Sequence, residues 1–361
     1  MNASNREPPI TDAELALVKN GAGAAKADAD SGARPTFEAT MYEIKRIVVG
    51  QDAMLERVLV ALLAGGHVLL EGVPGLAKTL TVKTLARVVG GSFSRIQFTP
   101  DLVPSDLVGT RIYRPDSGSF DTELGPVISN FLLADEINRA PAKVQSALLE
   151  VMQEHQVTIG ANTYRVPQPF LVLATQNPIE SEGTYPLPEA QVDRFLMKLL
   201  VDYPSPAEEI AIVDRVVGHG HDVSERLSAE ELLRLRALTR EVYVDREVVQ
   251  HAVELVDATR RPARYGLEQL ESLLEYGASP RGSIGLIEAA RALAMLRGRW
   301  HVTPNDVRAL VGDVLRHRLL LSYDAISDGV EPDEILDQVL AAVAPPGQAE
   351  PAAAEAVAQA A

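Results

Sequence analysis

The stretch HVLLEGVPGLAKT, residues 67–79, decides the fold that the sequence predicts. An apolar run over 67–70 is typical of a short strand, a turn with two glycines follows, and a helical pattern begins at Thr79. Backbone N–H groups in such a turn can surround phosphate oxygens, and the helix adds the positive end of its dipole. Lys78 would reach the β- and γ-phosphates of a nucleotide, and the Thr79 hydroxyl would bind Mg²⁺. The alternative is a surface Gly-Pro-Gly turn followed by an exposed lysine.

The turn departs from the generic pattern G-x-x-x-x-G-K-[ST] at one position. The pattern has glycine before the lysine, whereas this chain has Ala77. A methyl group there requires a helix-compatible backbone, which the first turn of the helix can supply. We therefore predict that a continuous set of residues contacts the nucleotide: Gly72, Val73, Pro74, Gly75, Leu76, Ala77, Lys78 and Thr79.

Two acids end another apolar run. The segment FLLADE, residues 131–136, is typical of a buried strand that ends in Asp135 and Glu136. An acid at the carboxyl end of a buried parallel strand lies at the crevice where ligands bind. Asp135 would hold Mg²⁺, directly or through water, and Glu136 would orient and deprotonate a water molecule for attack on the γ-phosphate. A strand end that exits into solvent is the alternative.

An amide ends a further apolar run. The segment LVLATQNP, residues 171–178, places Asn177 at the end of a strand, where it could hold the attacking water or the γ-phosphate. Asn-Pro is also a common turn. The position of this segment after the glycine-rich turn and the paired acids favours the functional interpretation.

Short apolar runs alternate with helical patterns in the first half of the chain. The runs at 94–98, 131–134, 170–174 and 196–201 are typical of strands buried on both faces. We therefore predict an α/β fold in which a parallel sheet carries helices on both faces. From 207 to 340 the patterns are almost all helical, and one of them covers 304–320.

These changes of pattern divide the chain into four predicted parts. A flexible N-terminal arm spans 1–35, and the α/β nucleotide-binding domain spans 36–203. A smaller all-helical domain spans 204–343, and a disordered tail rich in Ala, Pro, Glu and Gln spans 344–361.

Composition excludes several classes of protein. The chain of 361 residues has 34 Lys and Arg against 50 Asp and Glu, a formal net charge of −16. Because non-specific affinity for nucleic acid comes from clustered Lys and Arg, a nucleic-acid partner is disfavoured. The chain has no cysteine, which excludes disulfides, Cys-ligated zinc, iron–sulfur clusters and thiol catalysis. A membrane helix needs about 20 largely apolar residues, and no stretch reaches that length, so we expect a cytoplasmic protein without membrane insertion.

Taken together, these segments resemble the MoxR family of AAA+ ATPases. The resemblance is carried by VVGQDAMLERVLVALLAGGHVLLEGVPGLAKT, LLADEINRAPAKVQSALLEVMQE, LATQNPIESEGTYPLPEAQVDRF and GASPRGS, and it covers about 37–323. It implies an AAA+ P-loop NTPase core followed by a helical lid. Ala77 is usual in the family, so the departure from the generic turn favours this narrower assignment.

The resemblance implies roles for further residues. Arg194 in the triplet DRF matches the arginine finger, which would act on the ATP of the neighbouring subunit; an ion pair with Asp193 is the alternative. Arg281 in SPR matches the sensor 2 arginine and would touch the γ-phosphate within its own subunit; an ordinary surface arginine is the alternative. Gln51 matches the region near the adenine. Arg139 could face a neighbour's site, and this remains open.

Two insertions are typical of β-hairpins. Residues 112–123 and 157–166 each carry a glycine near the turn, and in relatives such hairpins project toward the pore or the partner face of a ring. From the sequence alone, each could equally be a structural hairpin at the edge of the domain.

The resemblance implies a function with ATP and Mg²⁺ as cofactors. We expect ATP hydrolysis by a homo-oligomer, a hexameric ring, that acts as a chaperone-like motor on a client protein or complex. A von Willebrand factor A domain protein is the expected partner. The alternatives are a magnesium-chelatase-type motor subunit, a nucleic-acid motor and a nucleotide switch that does not hydrolyse ATP.

Overall fold

The computed structural model describes residues 36–72, 78–177, 183–217 and 222–347. The predicted N-terminal arm and the predicted tail from 348 onward lie outside these residues. No helix within the described ranges is long and apolar enough to cross a membrane.

Strands and helices alternate up to about residue 200, and helices dominate afterwards. The strands are β1 (Val68–Glu71), β2 (Phe93–Gln97), β3 (Gly109–Arg114), β4 (Ser119–Leu124), β5 (Phe131–Asp135), β6 (Gln156–Ile159), β7 (Asn162–Arg165), β8 (Leu171–Gln176), β9 (Met197–Leu200), β10 (Leu274–Tyr276) and β11 (Leu320–Leu321). The helices are α1 (36–45), α2 (Asp52–Ala64), α3 (Lys78–Val88), α4 (Pro104–Val108), α5 (Ala142–Glu154), α6 (Glu189–Val192), α7 (Pro206–Val217), α8 (Ala229–Thr239), α9 (Arg246–Arg260), α10 (Pro280–Leu296), α11 (Pro304–Arg308), α12 (Val311–Leu315), α13 (Tyr323–Ser327) and α14 (Pro332–Ala342).

The central sheet confirms the predicted α/β fold. Its order is β2-β5-β8-β1-β9, and each neighbouring pair runs parallel. Alternate residues of one strand point to opposite faces: Leu70 and Leu133 belong to one hydrophobic cluster, whereas Leu69 and Leu132 belong to the other. Because both faces are covered, the central strands are apolar throughout, which is the pattern that identified them.

The hydrophobic cluster that contains Leu70 continues from the sheet into the second region. Val58 of α2, Leu293 of α10 and Leu315 of α12 belong to it. The sheet and the helical region therefore share a packed boundary.

The region after α7 differs from the prediction in two details. It contains a short antiparallel pair, β10 with β11, so it is helical with one small ladder rather than all-helical. The helix expected over 304–320 is divided into α11, α12 and a 3₁₀ turn at Arg316–Arg318. The reason is tertiary: Arg316 donates to the carbonyl of Lys198 (2.5 Å), and the ring of His317 contacts the carbonyl of Phe195 (3.0 Å). These contacts outweigh the apolar periodicity.

Both predicted hairpins are present. β3 pairs with β4, and β6 pairs with β7, each in antiparallel register. They lie side by side, since a side chain at Gly160 would come within 2.7 Å of Arg111.

Candidate functional site

The carboxyl ends of β1, β5 and β8 bring the predicted nucleotide residues together. Gly72 follows β1, and a Cβ atom there would lie 2.4 Å from the carbonyl oxygen of Val201, so the backbone approach requires glycine. Lys78 and Thr79 form the start of α3. The predicted contacts Val73, Pro74, Gly75, Leu76 and Ala77 lie outside the described residues.

Lys78 faces the paired acids. Its Nζ donates to the carbonyl of Gly72 at 2.5 Å. Burial lowers the pKa of the Lys78 ammonium below its usual value, while the carboxylates of Asp135, Glu71 and Glu136 act in the opposite direction. A phosphate at this position would add negative charge that favours the protonated amine.

Both carboxylate oxygens of Asp135 have partners. Thr175 Oγ1 donates to Oδ1 at 2.6 Å, and the guanidinium of Arg95 donates to Oδ2 at 2.6 Å. Neither Thr175 nor Arg95 was predicted. Both stand on the strands adjacent to β5, so the signal that could have found them is a polar residue near the end of a neighbouring strand.

The conformation of Glu136 is set by three contacts. Its backbone has φ 56°, a left-handed conformation that is uncommon for glutamate. Its N–H donates to Thr175 Oγ1 at 2.9 Å, so a single hydroxyl orients both acids. Its Oε2 accepts from Gln97 Nε2 at 2.7 Å and forms an ion pair with Arg139 at 2.9 Å. Arg139 thus contacts the acid of its own subunit in this conformation.

Asn177 and Gln51 lie at the same edge of the sheet. Asn177 follows β8 and is buried. Gln51 precedes α2, and its Nε2 donates to the carbonyl of Asp202, in the segment after β9, at 2.9 Å.

The donor set at this edge fits a magnesium ion. Asp135 supplies a carboxylate and Thr79 a hydroxyl, which are the hard oxygen ligands that Mg²⁺ prefers. Within the described ranges, no group of three or more His, Asp or Glu side chains could hold a metal alone. The nucleotide phosphates would therefore supply part of the coordination shell, as is usual for Mg²⁺.

Arg194 and Arg281 lie together at the opposite edge of the sheet. Arg194 stands in the turn before β9, and its Nε is buried without a hydrogen-bond partner in the described part of the chain. The ion pairs of the neighbouring Asp193 are with Arg281 (3.4 Å) and Arg318 (2.8 Å). No ion pair between Asp193 and Arg194 occurs within the described residues, so the contact that the alternative interpretation requires is absent there.

The cavity that these arginines share lies away from Lys78. Arg194, Arg281 and His67 line one cavity of about 300 Å³ at the amino ends of β1 and β9. Lys78 lies beyond the carboxyl end of β1, a strand of 4 residues. At about 3.3 Å per residue, the two edges are about 13 Å apart. Arg281 lines the cavity at the amino edge in this conformation, and its contact with a γ-phosphate of its own subunit stays a prediction.

His67 is a buried neutral histidine on the wall of this cavity. Its Nδ1 accepts from the N–H of Val172 at 3.0 Å, so Nε2 carries the proton and donates to the carbonyl of Met152 at 3.2 Å. Burial lowers the pKa of His67 to about 4.

Comparisons with known proteins agree with this geometry. The model of the ATPase family associated with various cellular activities (AAA) matches residues 67–197, and that of the AAA lid domain matches 267–339. Chaperone MoxR1 from Mycobacterium tuberculosis is 59% identical over 86% of this chain and 82% of its own length. Protein MoxR from Methylorubrum extorquens is 33% identical over 81% and 90%. A crystal structure of a candidate ATPase from Cytophaga hutchinsonii is 47% identical, with a TM-score of 0.85, and covers 89% of this chain and 98% of that one.

Proposed function

Because this chain belongs to the MoxR family of AAA+ ATPases, which hydrolyse ATP, we propose that it works as a closed ring of identical subunits that remodels a partner protein. One observation carries the proposal: Lys78 and the paired acids lie at one edge of the sheet, whereas Arg194 and Arg281 lie at the other. A site that needs both sets is completed only by a second copy.

Within one subunit, the polar groups at the carboxyl edge bind and orient the substrate. Lys78 exchanges the Gly72 carbonyl for a phosphate oxygen. Asp135 and Thr79 would hold Mg²⁺, which would supply positive charge to the phosphates. Glu136 accepts a proton from the attacking water once its Oε2 is free of Gln97 and Arg139. Asn177 is placed to hold that water or the γ-phosphate.

The neighbouring subunit supplies the two arginines. The Nε of Arg194 is buried without a hydrogen-bond partner in the described part of the chain, and Arg281 is half exposed; a neighbouring subunit's phosphate would supply a partner for both side chains. A positive charge beside the negatively charged, transferring phosphoryl group stabilises the transition state, and an arginine in this role is typically worth about 10³ to 10⁵ in rate.

The partner is a protein rather than nucleic acid. A relative with 59% identity carries the name chaperone, and the net charge of −16 disfavours phosphate backbones. We propose a hexameric assembly, a client protein or complex, and a von Willebrand factor A domain protein as its adaptor, as the family resemblance implies.

Mixed assemblies test the proposal. Glu136→Gln should bind ATP and assemble but lose turnover, and Arg194→Ala should retain nucleotide affinity and lose turnover. Mixing the two should restore part of the activity, because intact catalytic acids then meet intact arginines. Arg264→Ala, an exposed arginine of the lid, serves as the control. Absence of rescue, or stimulation of turnover by DNA and not by protein, would contradict the proposal. Proteins that co-purify with Glu136→Gln in ATP identify the partner.

A further inference from the structure

Arg318 is almost completely buried at the junction between the lid and the sheet. Its side chain is 4% exposed, and its Nε forms an ion pair with Asp193 Oδ1 at 2.8 Å. Its terminal nitrogens donate to the carbonyl oxygens of Phe195 (2.9 Å), Asp193 (3.3 Å) and Leu196 (3.4 Å). One guanidinium therefore binds three carbonyls, those of Asp193, Phe195 and Leu196, which flank Arg194 on both sides.

Asp193 extends the same contact to the start of α10. Its Oδ2 accepts from Ser279 Oγ at 3.0 Å and from Arg281 at 3.4 Å. Ser279 also caps α10, accepting from the N–H of Arg281. Arg318 is thus connected to Arg281 through the Asp193 carboxylate and to Arg194 through the backbone of the turn.

Arg194 has no such support of its own. Because no described residue accepts a hydrogen bond from its Nε, its direction depends on the backbone of the turn that carries it. Three carbonyls of that backbone are held by Arg318, which belongs to the lid.

We propose that Arg318 is the positioning residue for the arginines that complete the neighbouring subunit's site. It locks the 193–196 turn to the lid, so that Arg194 and Arg281 are presented as one rigid unit. The inference rests on the proposed function, because it assigns to Arg318 an effect on another subunit's nucleotide. It follows that a lid movement in one subunit displaces the arginine that its neighbour requires.

The test compares Arg318→Met with a matched lid arginine. Arg308 also donates to backbone carbonyls, but to those of Val343 and Leu340 rather than to those of the turn. Arg318→Met should keep its affinity for a fluorescent ATP analogue within about twofold and lose at least tenfold in kcat. Arg308→Met should keep both. Mixing Arg318→Met with Glu136→Gln should restore turnover, since the Arg318→Met subunit retains its own nucleotide residues.

The outcomes separate this inference from the proposed function. Rescue of Arg194→Ala but not of Arg318→Met by Glu136→Gln would show that Arg318 serves its own subunit, which overturns the inference. Failure to rescue either variant would overturn the arrangement between subunits itself. If Arg318→Met does not fold, Asp193→Asn decides: it keeps the shape of the side chain and removes its charge. Rescue of Asp193→Asn supports the inference, and no rescue alongside a rescued Arg194→Ala overturns it.

Discussion

The buried histidine at the amino end of β1 predicts a specific response to acid. His67 is neutral in the folded chain because burial lowers its pKa to about 4, whereas the ordinary value is 6.5. In the unfolded chain the ring is exposed and binds a proton below about pH 6.5. Between these two values the unfolded state binds more protons, so the free energy of unfolding falls as the pH falls.

The size of this effect follows from the two pKa values. A shift in the pKa of His67 from 6.5 to about 4 is worth about 1.36 kcal/mol per unit. The free energy of unfolding therefore falls by about 3.4 kcal/mol in total once His67 is protonated in both the folded and the unfolded state. At pH 5 the unfolded ring is almost fully protonated and the folded ring is mostly neutral. Lowering the pH from 7.5 to 5 should therefore reduce the free energy of unfolding by about 2 kcal/mol through His67 alone.

Urea unfolding at pH 7.5 and pH 5, followed by far-ultraviolet circular dichroism, measures this cost. His67→Asn retains an acceptor for the N–H of Val172 and cannot be protonated, so it should lose about 2 kcal/mol less than the wild type on acidification. His155, His251 and His317 also have pKa values lowered mainly by burial, and all three are present in both proteins. His301→Asn, at an exposed position, should behave as the wild type. Equal losses in His67→Asn and the wild type would refute the reasoning.

Two further predictions concern the carboxyl edge of the sheet. Gly72→Ala places a methyl group 2.4 Å from the carbonyl oxygen of Val201, and overpacking of this kind costs about 1–3 kcal/mol. Where this cost falls on the nucleotide-binding conformation, titration with a fluorescent nucleotide should show affinity weaker by about fivefold or more. Unchanged affinity would contradict the close approach. Thr175→Val removes the hydroxyl that orients Asp135 and Glu136, so steady-state assays should show a lower kcat. Melting curves should show a loss of about 1–3 kcal/mol in the free energy of unfolding. An unchanged kcat would show that the hydroxyl is dispensable.

Much of the fold was predictable because buried parallel strands have a simple sequence pattern, a short and continuous apolar run. The apolar runs that became β1, β5 and β8 are covered on both faces, and their carboxyl ends had to meet at one edge. Lys78, Asp135 and Glu136 follow from that rule, and the structure brings them together.

Other parts of the site depend on contacts that no local pattern encodes. Arg95 and Gln97 reach the acids only because β2 pairs with β5, with Gln97 opposite Asp135. The edge at which Arg281 lies depends on how the lid packs, which periodicity does not determine. The helix expected over 304–320 is interrupted because the side chains of 316–318 bind carbonyls more than a hundred residues away.

The separation of the two polar sets has an arithmetic consequence for assembly. Under the proposed arrangement, each molecule carries one half of a catalytic pair on each of two opposite sides, so a row of n molecules with free ends forms n − 1 working junctions. Joining the two ends of the row adds one more junction, so that every nucleotide site then faces the arginines of a neighbour. Specific activity should therefore climb with protein concentration and reach a plateau when the circle closes.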